Sequence, residues 1–252
     1  SAEATFDVTS RTNAVYSTPT AEKVSELALS YPPDSEDSYQ WQDLALSRFV
    51  SNDFCGMVEA CTGAGKTIFC AKAIKAVIKS EEELLGSKPA ISIVVPTTAL
   101  LDQWYQFLVH DEFGLKNELA SGVVEGVALH GGGHGGELKQ VNLFVENTAA
   151  AVLPGLRSES FEGETKYSVE DIERFNEGYP SHFLIVDEAH RTTSQMFSQI
   201  YEVARDYILL VSATFPSNKE RYQILEDAIS STLGLTEETK KGRFITLPES
   251  KL

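Results

Sequence analysis

The chain is poor in cysteine, in cationic side chains and in long apolar runs, and each shortage excludes a class of protein. Its 252 residues contain three cysteines, Cys55, Cys61 and Cys70. That odd number, clustered around one short stretch, fits reduced and buried thiols far better than a disulfide framework or a metal site. Lysine and arginine number 21 against 37 aspartate and glutamate, a formal net charge of −16. An autonomous nucleic-acid binder carries the opposite, basic footprint, so any such contact must be local and helped by another part of a larger machine. No apolar run approaches the ~20 residues that span a bilayer, and no N-terminal secretory signal is visible. The chain therefore reads as cytosolic, or nuclear if eukaryotic, with no membrane partner. Internal repeats and long low-complexity tracts are also missing, and the length suffices for one large core or a core with appendages.

The most informative stretch that is present is Ala60-Cys61-Thr62-Gly63-Ala64-Gly65-Lys66-Thr67. Cys55, Met57 and Val58 before it read as a short buried strand, and Ile68, Phe69, Ala71, Ile74, Ala76, Val77 and Ile78 after it supply the apolar face of a helix. A glycine-rich turn between strand and helix, ending in Lys-Thr, is the context a phosphate-binding loop requires. Backbone N–H groups of Thr62, Gly63, Ala64 and Gly65 would face the β-phosphate at a helix N-terminus. Lys66 would reach the β and γ oxygens, and the Thr67 hydroxyl would ligate Mg²⁺. Ala60 stands where the general pattern has its first glycine, so the match is imperfect. Cys61, inside the loop, is the cysteine placed to react.

A second motif turns a nucleotide site toward hydrolysis. Phe183-Leu184-Ile185-Val186-Asp187-Glu188-Ala189-His190 is an apolar strand ending in two adjacent acids, at the sheet end where open α/β sheets bind ligands. Asp187 can hold the Mg²⁺ that bridges β- and γ-phosphates, directly or through water. Glu188 can then orient and deprotonate the attacking water, since phosphoryl transfer needs a positioned nucleophile and neutralised charge.

These strings resemble motifs I (CTGAGKT) and II (LIVDEAH) of superfamily 2 helicases and translocases, and Val211-Ser212-Ala213-Thr214 resembles motif III. Trp41-Gln42 is similar to the Q motif, Pro96-Thr97 through Gln103-Trp104 to motif Ia, and Asn147-Thr148-Ala149, weakly, to motif Ib. The likeness covers about residues 39 to 216, with the motifs in family order. Pro-Thr-Thr-Ala-Leu and Asp-Glu-Ala-His are nearer the DNA-translocating branch of restriction motors and repair helicases than the DEAD-box RNA helicases. The resemblance implies an ATP hydrolase with ATP and Mg²⁺ as cofactors. It adds His190 to the catalytic set of Lys66, Asp187 and Glu188, and assigns Pro96, Thr97, Gln103, Thr148, Ser212 and Thr214 to nucleic-acid contact or coupling.

Strands expected near 55–60, 91–95, 124–129, 141–147, 183–187 and 208–212 alternate with helices near 41–51, 66–80, 98–109, 168–176, 194–205 and 219–231. This alternation predicts an α/β, RecA-like P-loop domain with a mainly parallel sheet covered on both faces. Residues 1–38 are polar and Thr/Ser-rich, with a helix expected from Ala21 to Leu29, and read as a leader or the end of a neighbouring domain; 39–235 is the motor domain. Ser168 with Asp171, and Ser217 with Glu220, look like capping boxes.

Three assignments keep a plainer alternative beside the functional one. Gln42 can both donate to and accept from an adenine edge, or lie on a helix surface. Pro96, Thr97 and Gln103 can touch a nucleic-acid backbone, or form an ordinary strand-to-helix turn capped by threonine. Ser212 and Thr214 can couple two sites, or satisfy turn N–H groups. His130-Gly131-Gly132-Gly133-His134-Gly135-Gly136 is too glycine-rich for a helical zinc site and reads as a flexible loop between strands. Glu81-Glu82-Glu83 reads as a solvated helix end.

In the family, ATP sits between two RecA-like domains, and the second supplies an arginine finger. Too little chain follows Pro216 for the ~100 residues of such a domain, so residues 236–252 are expected to begin a crossover to one. The leading expectation is the first motor domain of a DNA helicase or duplex-DNA translocase in restriction, repair or phage defence, with possible further subunits. An RNA helicase domain and a nucleotide-gated scaffold without unwinding are the alternatives.

Overall fold

The computed structural model describes residues 40–60, 65–135, 137–157 and 167–234. The leader, its helix at 21–29 and the crossover from 236 lie outside these residues. Six strands, β1 (Cys55–Glu59), β2 (Ala90–Val95), β3 (Val127–His130), β4 (Val141–Val145), β5 (His182–Asp187) and β6 (Tyr207–Ser212), form one sheet in the order β1-β6-β5-β2-β4-β3. Every strand pairing is parallel. The helices are α1 (Gln40–Ser51), α2 (Lys66–Leu85), α3 (Thr98–His110), α4 (Lys116–Ser121), α5 (Glu146–Leu156), α6 (Val169–Gly178) and α7 (Lys219–Leu233). The fold is the RecA-like α/β architecture that the motif order implies.

The unbroken apolar runs of the strands have a simple cause. Alternate residues of a strand face opposite sides of a sheet, and both sides here are covered by helices. Phe183 and Ile185 of β5 pack into a core with α1, α2 and α3, through Phe49, Phe69, Ile74, Leu101 and Leu108. Their neighbours Leu184 and Val186 join a second core with α5, α6 and α7, through Leu153, Phe175, Leu225 and Ile229. Each such fully buried aliphatic or aromatic side chain contributes roughly 1.5–3 kcal/mol.

Several boundaries differ from expectation. The strand expected to reach residue 147 ends at Val145, and α5 begins at Glu146, so Thr148 sits in a helix's first turn. Helix α5 was hidden by Pro154 and Gly155. Pro154 lies in its last turn, where it gives up one N–H bond to the preceding turn but has only Gly155 and Leu156 of the helix beyond it. The helix expected over 194–205 is instead a 3₁₀ segment at Phe197–Glu202, preceded by another at Ala189–Thr192. Asn218, not Ser217, caps α7, accepting from the N–H groups of Glu220 and Arg221. Ser168 caps α6 as expected, accepting from Asp171 N.

Two polar readings also change. Glu81 is fully buried, not solvated. Its carboxylate accepts from the hydroxyls of Ser181 at 2.7 Å, Ser87 and Tyr207, tying the end of α2 to the amino-terminal end of the sheet. His130 ends β3 fully buried and stacked on Phe144, its Nε2–H donating to Asn142 Oδ1 at 2.9 Å while Nδ1 meets Tyr167 OH. Gly131 and His134 exchange backbone hydrogen bonds, so the expected loose loop is a tight turn there. Gly136 lies outside the described residues. Cys55 and Cys70 are buried thiols outside any disulfide.

Candidate functional site

The carboxyl ends of β1, β6 and β5 are neighbours, which brings motifs I, III and II together although they are far apart in sequence. Cys61, Thr62, Gly63 and Ala64 lie outside the described residues. The exit of the loop is placed: Gly65, at φ 87°, occupies the cap position of α2, a left-handed conformation that glycine adopts without a Cβ penalty. Lys66 and Thr67 are the first two residues of that helix. Gln42 of α1 is only 1% exposed, and its Nε2 donates to the Gly65 carbonyl at 3.1 Å. The surface alternative for Gln42 is therefore excluded; its amide steadies the phosphate-loop exit.

Motif II meets this loop directly. Lys66 Nζ lies 2.8 Å from Glu188 Oε1, with both side chains largely shielded from solvent. Glu188 itself has φ 52°, an uncommon conformation for a residue with a side chain, costing of the order of 1 kcal/mol. Asp187, at the end of β5, is 8% exposed. Its Oδ1 accepts from Glu188 N at 2.9 Å and its Oδ2 from Trp104 Nε1 at 3.0 Å. Burial pushes the Asp187 pKa up, the Trp104 N–H and the nearby Lys66 charge pull it back, and Glu188 adds to the rise.

Motif III closes the cluster through His190. Ser212 Oγ donates to Thr214 O at 2.8 Å, so its lone pair is what faces His190 Nδ1 at 2.6 Å. Nδ1 consequently carries a proton, and Glu188 Oε2 lies 3.3 Å from the same nitrogen. The same imidazole nitrogen thus hydrogen-bonds the hydroxyl of motif III and lies beside the acid of motif II. The backbone adds a link from motif III to motif I, with Ala60 N donating to Ser212 O at 2.9 Å.

The adjoining edge, at the ends of β2, β4 and β3, gathers the other candidates. Thr97 caps α3, accepting from Leu100 N at 3.2 Å, while its residue remains exposed, as does Gln103 one and a half turns on; Pro96 is buried. The turn after β3 wedges between α3 and α5. A Cβ on Gly132 would stand 1.9 Å from Thr98 Cγ2, and one on Gly131 2.7 Å from Thr148 Oγ1. Glycine at these two positions is what lets the helix starts bearing Thr98 and Thr148 come so close. His134 is exposed here, 4.0 Å from Asp102.

Two contacts were not foreseen. Trp104 belongs to the motif Ia string, but its bond to Asp187 spans 83 positions; the one sequence signal for it is that a buried indole N–H normally finds a partner. Arg191, next to His190, forms a two-pronged pair with the buried Glu146 of α5, Nε to Oε1 at 3.0 Å and Nη2 to Oε2 at 3.5 Å. Desolvation raises the Glu146 pKa, and the Arg191 hydrogen bond and charge oppose the rise. The donor set fits a hard divalent cation. Asp187 keeps free lone pairs on both oxygens beyond its two N–H partners, and Thr67 adds a hydroxyl at the first turn of α2.

Residues 35–217 match the family model described as "Type III restriction enzyme, res subunit". No curated protein matches the sequence. Among solved structures, the chain is similar to the SWI2/SNF2 ATPase core of Sulfolobus solfataricus in complex with double-stranded DNA. The two are 19% identical with a TM-score of 0.46, over 77% of this chain and 36% of that one. The Pyrococcus furiosus Hef helicase domain is 13% identical with a TM-score of 0.45, over 75% of this chain and 36% of that one. A nuclease-deletion mutant of the Type ISP restriction-modification enzyme LlaGI, in complex with a DNA substrate mimic, is 14% identical with a TM-score of 0.45, over 79% and 21%. The chain thus spans about a third or less of each solved chain. No described helix is long and apolar enough to cross a membrane.

Proposed function

Because the chain belongs to the family of the type III restriction enzyme res subunit, a superfamily 2 motor family, we propose that it is the first RecA-like half of an ATP-driven motor that acts on duplex DNA. The observation that carries the reading is the 2.8 Å approach of Lys66 Nζ to Glu188 Oε1. It supports the reading because the candidate phosphate-binding cation and the candidate water-activating acid meet at one point, beside Asp187. Lys66 would bind the β- and γ-phosphates, and backbone N–H groups from Thr62 through Gly65 would cradle them. Asp187 and Thr67 would hold Mg²⁺, which when bound neutralises phosphate charge. Glu188 would orient the attacking water and take its proton, while His190 holds Glu188 and Ser212 in register. Gln42 would read the adenine edge as well as bracing Gly65.

A second RecA-like domain would supply the arginine finger, an element worth roughly 10³–10⁵ in turnover. Nucleic acid would lie across Pro96, Thr97, Gln103 and Thr148, with Ser212 and Thr214 relaying its presence. The net charge of −16 makes other parts of the assembly the main source of electrostatic attraction.

The test compares phosphate release by the full-length protein with no nucleic acid, with duplex DNA and with structured RNA. Stimulation by the duplex is expected. Stimulation by RNA alone would move the protein to the RNA helicases. Nucleotide binding without stimulated turnover by either would leave a nucleotide-gated scaffold.

A further inference from the structure

Trp104 is one of two tryptophans in the chain, and it is 3% exposed on α3. Its ring packs into the core shared by α1, α2 and α3, but its one polar atom points out of that core. The indole Nε1–H donates to Asp187 Oδ2 at 3.0 Å, while the backbone N–H of Glu188 holds Oδ1 at 2.9 Å. Donors on opposite oxygens stop the carboxylate from rotating about its Cβ–Cγ bond. The donor is also neutral, so the carboxylate keeps its full negative charge. A lysine or arginine in the same place would orient the group equally well while competing with a cation for it.

Helix α3 begins at the Thr97 cap and exposes Thr98 and Gln103 on the edge next to the turn at Gly132. The residue beside Gln103 is the one that grips Asp187. A shift of α3 is therefore transmitted to the acid by a single hydrogen bond and a rigid ring, with no flexible linker between.

We propose that Trp104 is a positioning residue for Asp187: its indole N–H sets the carboxylate for the divalent cation and ties that setting to helix α3. This inference rests on the reading of Asp187 as the metal-binding acid. Outer-sphere partners of metal ligands typically matter 10- to 100-fold in metal affinity, and an effect of that size is expected here.

The experiment measures binding of a non-hydrolysable ATP analogue to the full-length protein by calorimetry, across an MgCl₂ titration. Two changes are compared with the parent. One is Trp104→Phe; the other replaces Trp104 with 3-benzothienylalanine, which keeps the bicyclic shape and puts sulfur in place of N–H. Both are expected to raise the Mg²⁺ midpoint about 10-fold or more while leaving metal-free nucleotide affinity and the thermal midpoint of the benzothienyl protein at parent values. Asp187→Asn should shift the midpoint at least as far, and adding the Trp104 change to it should shift it no further.

A benzothienyl protein with the parent's Mg²⁺ midpoint would overturn the proposal, leaving Trp104 a packing residue. A lowered thermal midpoint with an unmoved Mg²⁺ midpoint would do the same. If Asp187→Asn itself leaves the Mg²⁺ dependence unchanged, the metal-binding reading of Asp187 fails and the inference falls with it. The two failures are thereby told apart.

Discussion

The pair between Glu146 and Arg191 gives the sharpest energetic expectation. Glu146 is almost wholly buried at the start of α5, its side chain 3% exposed, whereas the Arg191 side chain is 48% exposed. Removing one partner of a fully buried ion pair costs about 3–5 kcal/mol, because an uncompensated charge stays behind. Here water already reaches the guanidinium, which lowers the expected cost of Arg191→Ala to roughly 1–3 kcal/mol. The first-turn position of Glu146 recovers a few tenths of a kcal/mol through the helix dipole. Glu146→Gln keeps the shape and removes the charge, so adding it to Arg191→Ala should restore about 1 kcal/mol or more.

The assay is a double-mutant cycle in urea unfolding at pH 7 and again at pH 5. Burial raises the folded-state pKa of Glu146, and without Arg191 the rise is larger. A raised folded pKa means the folded state holds its proton more tightly, so the cost of Arg191→Ala should shrink as pH falls. Thermally, a loss of 1 kcal/mol corresponds to a drop of about 2–4 °C in a domain of this size. Additive single and double changes, or a cost independent of pH, would refute the argument and leave the pair with no energetic role.

Four further outcomes are expected at the site and in the core. Lys66→Ala should abolish nucleotide binding in calorimetry, whereas Glu188→Gln should bind normally and lose hydrolysis; equal losses of affinity would remove Glu188 from the water-activating role. Gln42→Ala should weaken both ATP and GTP because Gly65 loses its brace, and ATP further because of the adenine edge; equal fractional losses in a fluorescence competition would strip Gln42 of base recognition. His182 is neutral in the fold, its pKa lowered to about 3 by burial and by nearby arginines, so between pH 6.5 and 3 the unfolded chain takes up a proton the folded chain refuses. Stability is thus present above pH 6.5 and falls with acid by up to ~1.4 kcal/mol per pH unit, a slope that His182→Asn should flatten in acid titrations and whose persistence would acquit His182. Gly132→Ala should disturb the contact with Thr98 and cut DNA stimulation while sparing basal nucleotide binding; unchanged stimulation would detach this turn from the nucleic-acid edge.

The parts of the fold that were legible in the sequence are those dictated by local physics. Continuous apolar runs such as Phe183–Val186 announce strands buried on both faces, and a glycine-rich turn ending in Lys66-Thr67 announces where a helix starts. The Ser168 cap was readable because a hydroxyl three residues before an acid suits a helix start. The same spacing at Ser217 and Glu220 misled by one residue, since the adjacent Asn218 has the better capping side chain there. Helix α5 was missed because Pro154 and Gly155 speak against a helix when position within it is unknown. The 3₁₀ segments after Glu188 were missed because irregular turns carry no periodicity. Glu81 was misread since an acidic triplet looks solvated, and only the tertiary arrangement supplies Tyr207 and Ser181 as partners. The bonds from Trp104 to Asp187 and from Arg191 to Glu146 depend on which strands are neighbours, and strand order is not written in any local pattern.

That strand order also governs when the molecule can acquire its site during synthesis. Strand β1, which leads into the phosphate loop, is the first described strand to leave a ribosome, yet among the described residues its one strand neighbour is β6, the last, with Cys55 opposite Ile208. The inner strands can pair with one another as they emerge, but β1 must wait unpaired for nearly the whole domain. Nucleotide is therefore useless as a folding aid to a partly made chain and becomes one only at completion. A set of chains shortened from the C-terminus should gain nucleotide-dependent protease resistance abruptly, once β6 has been included.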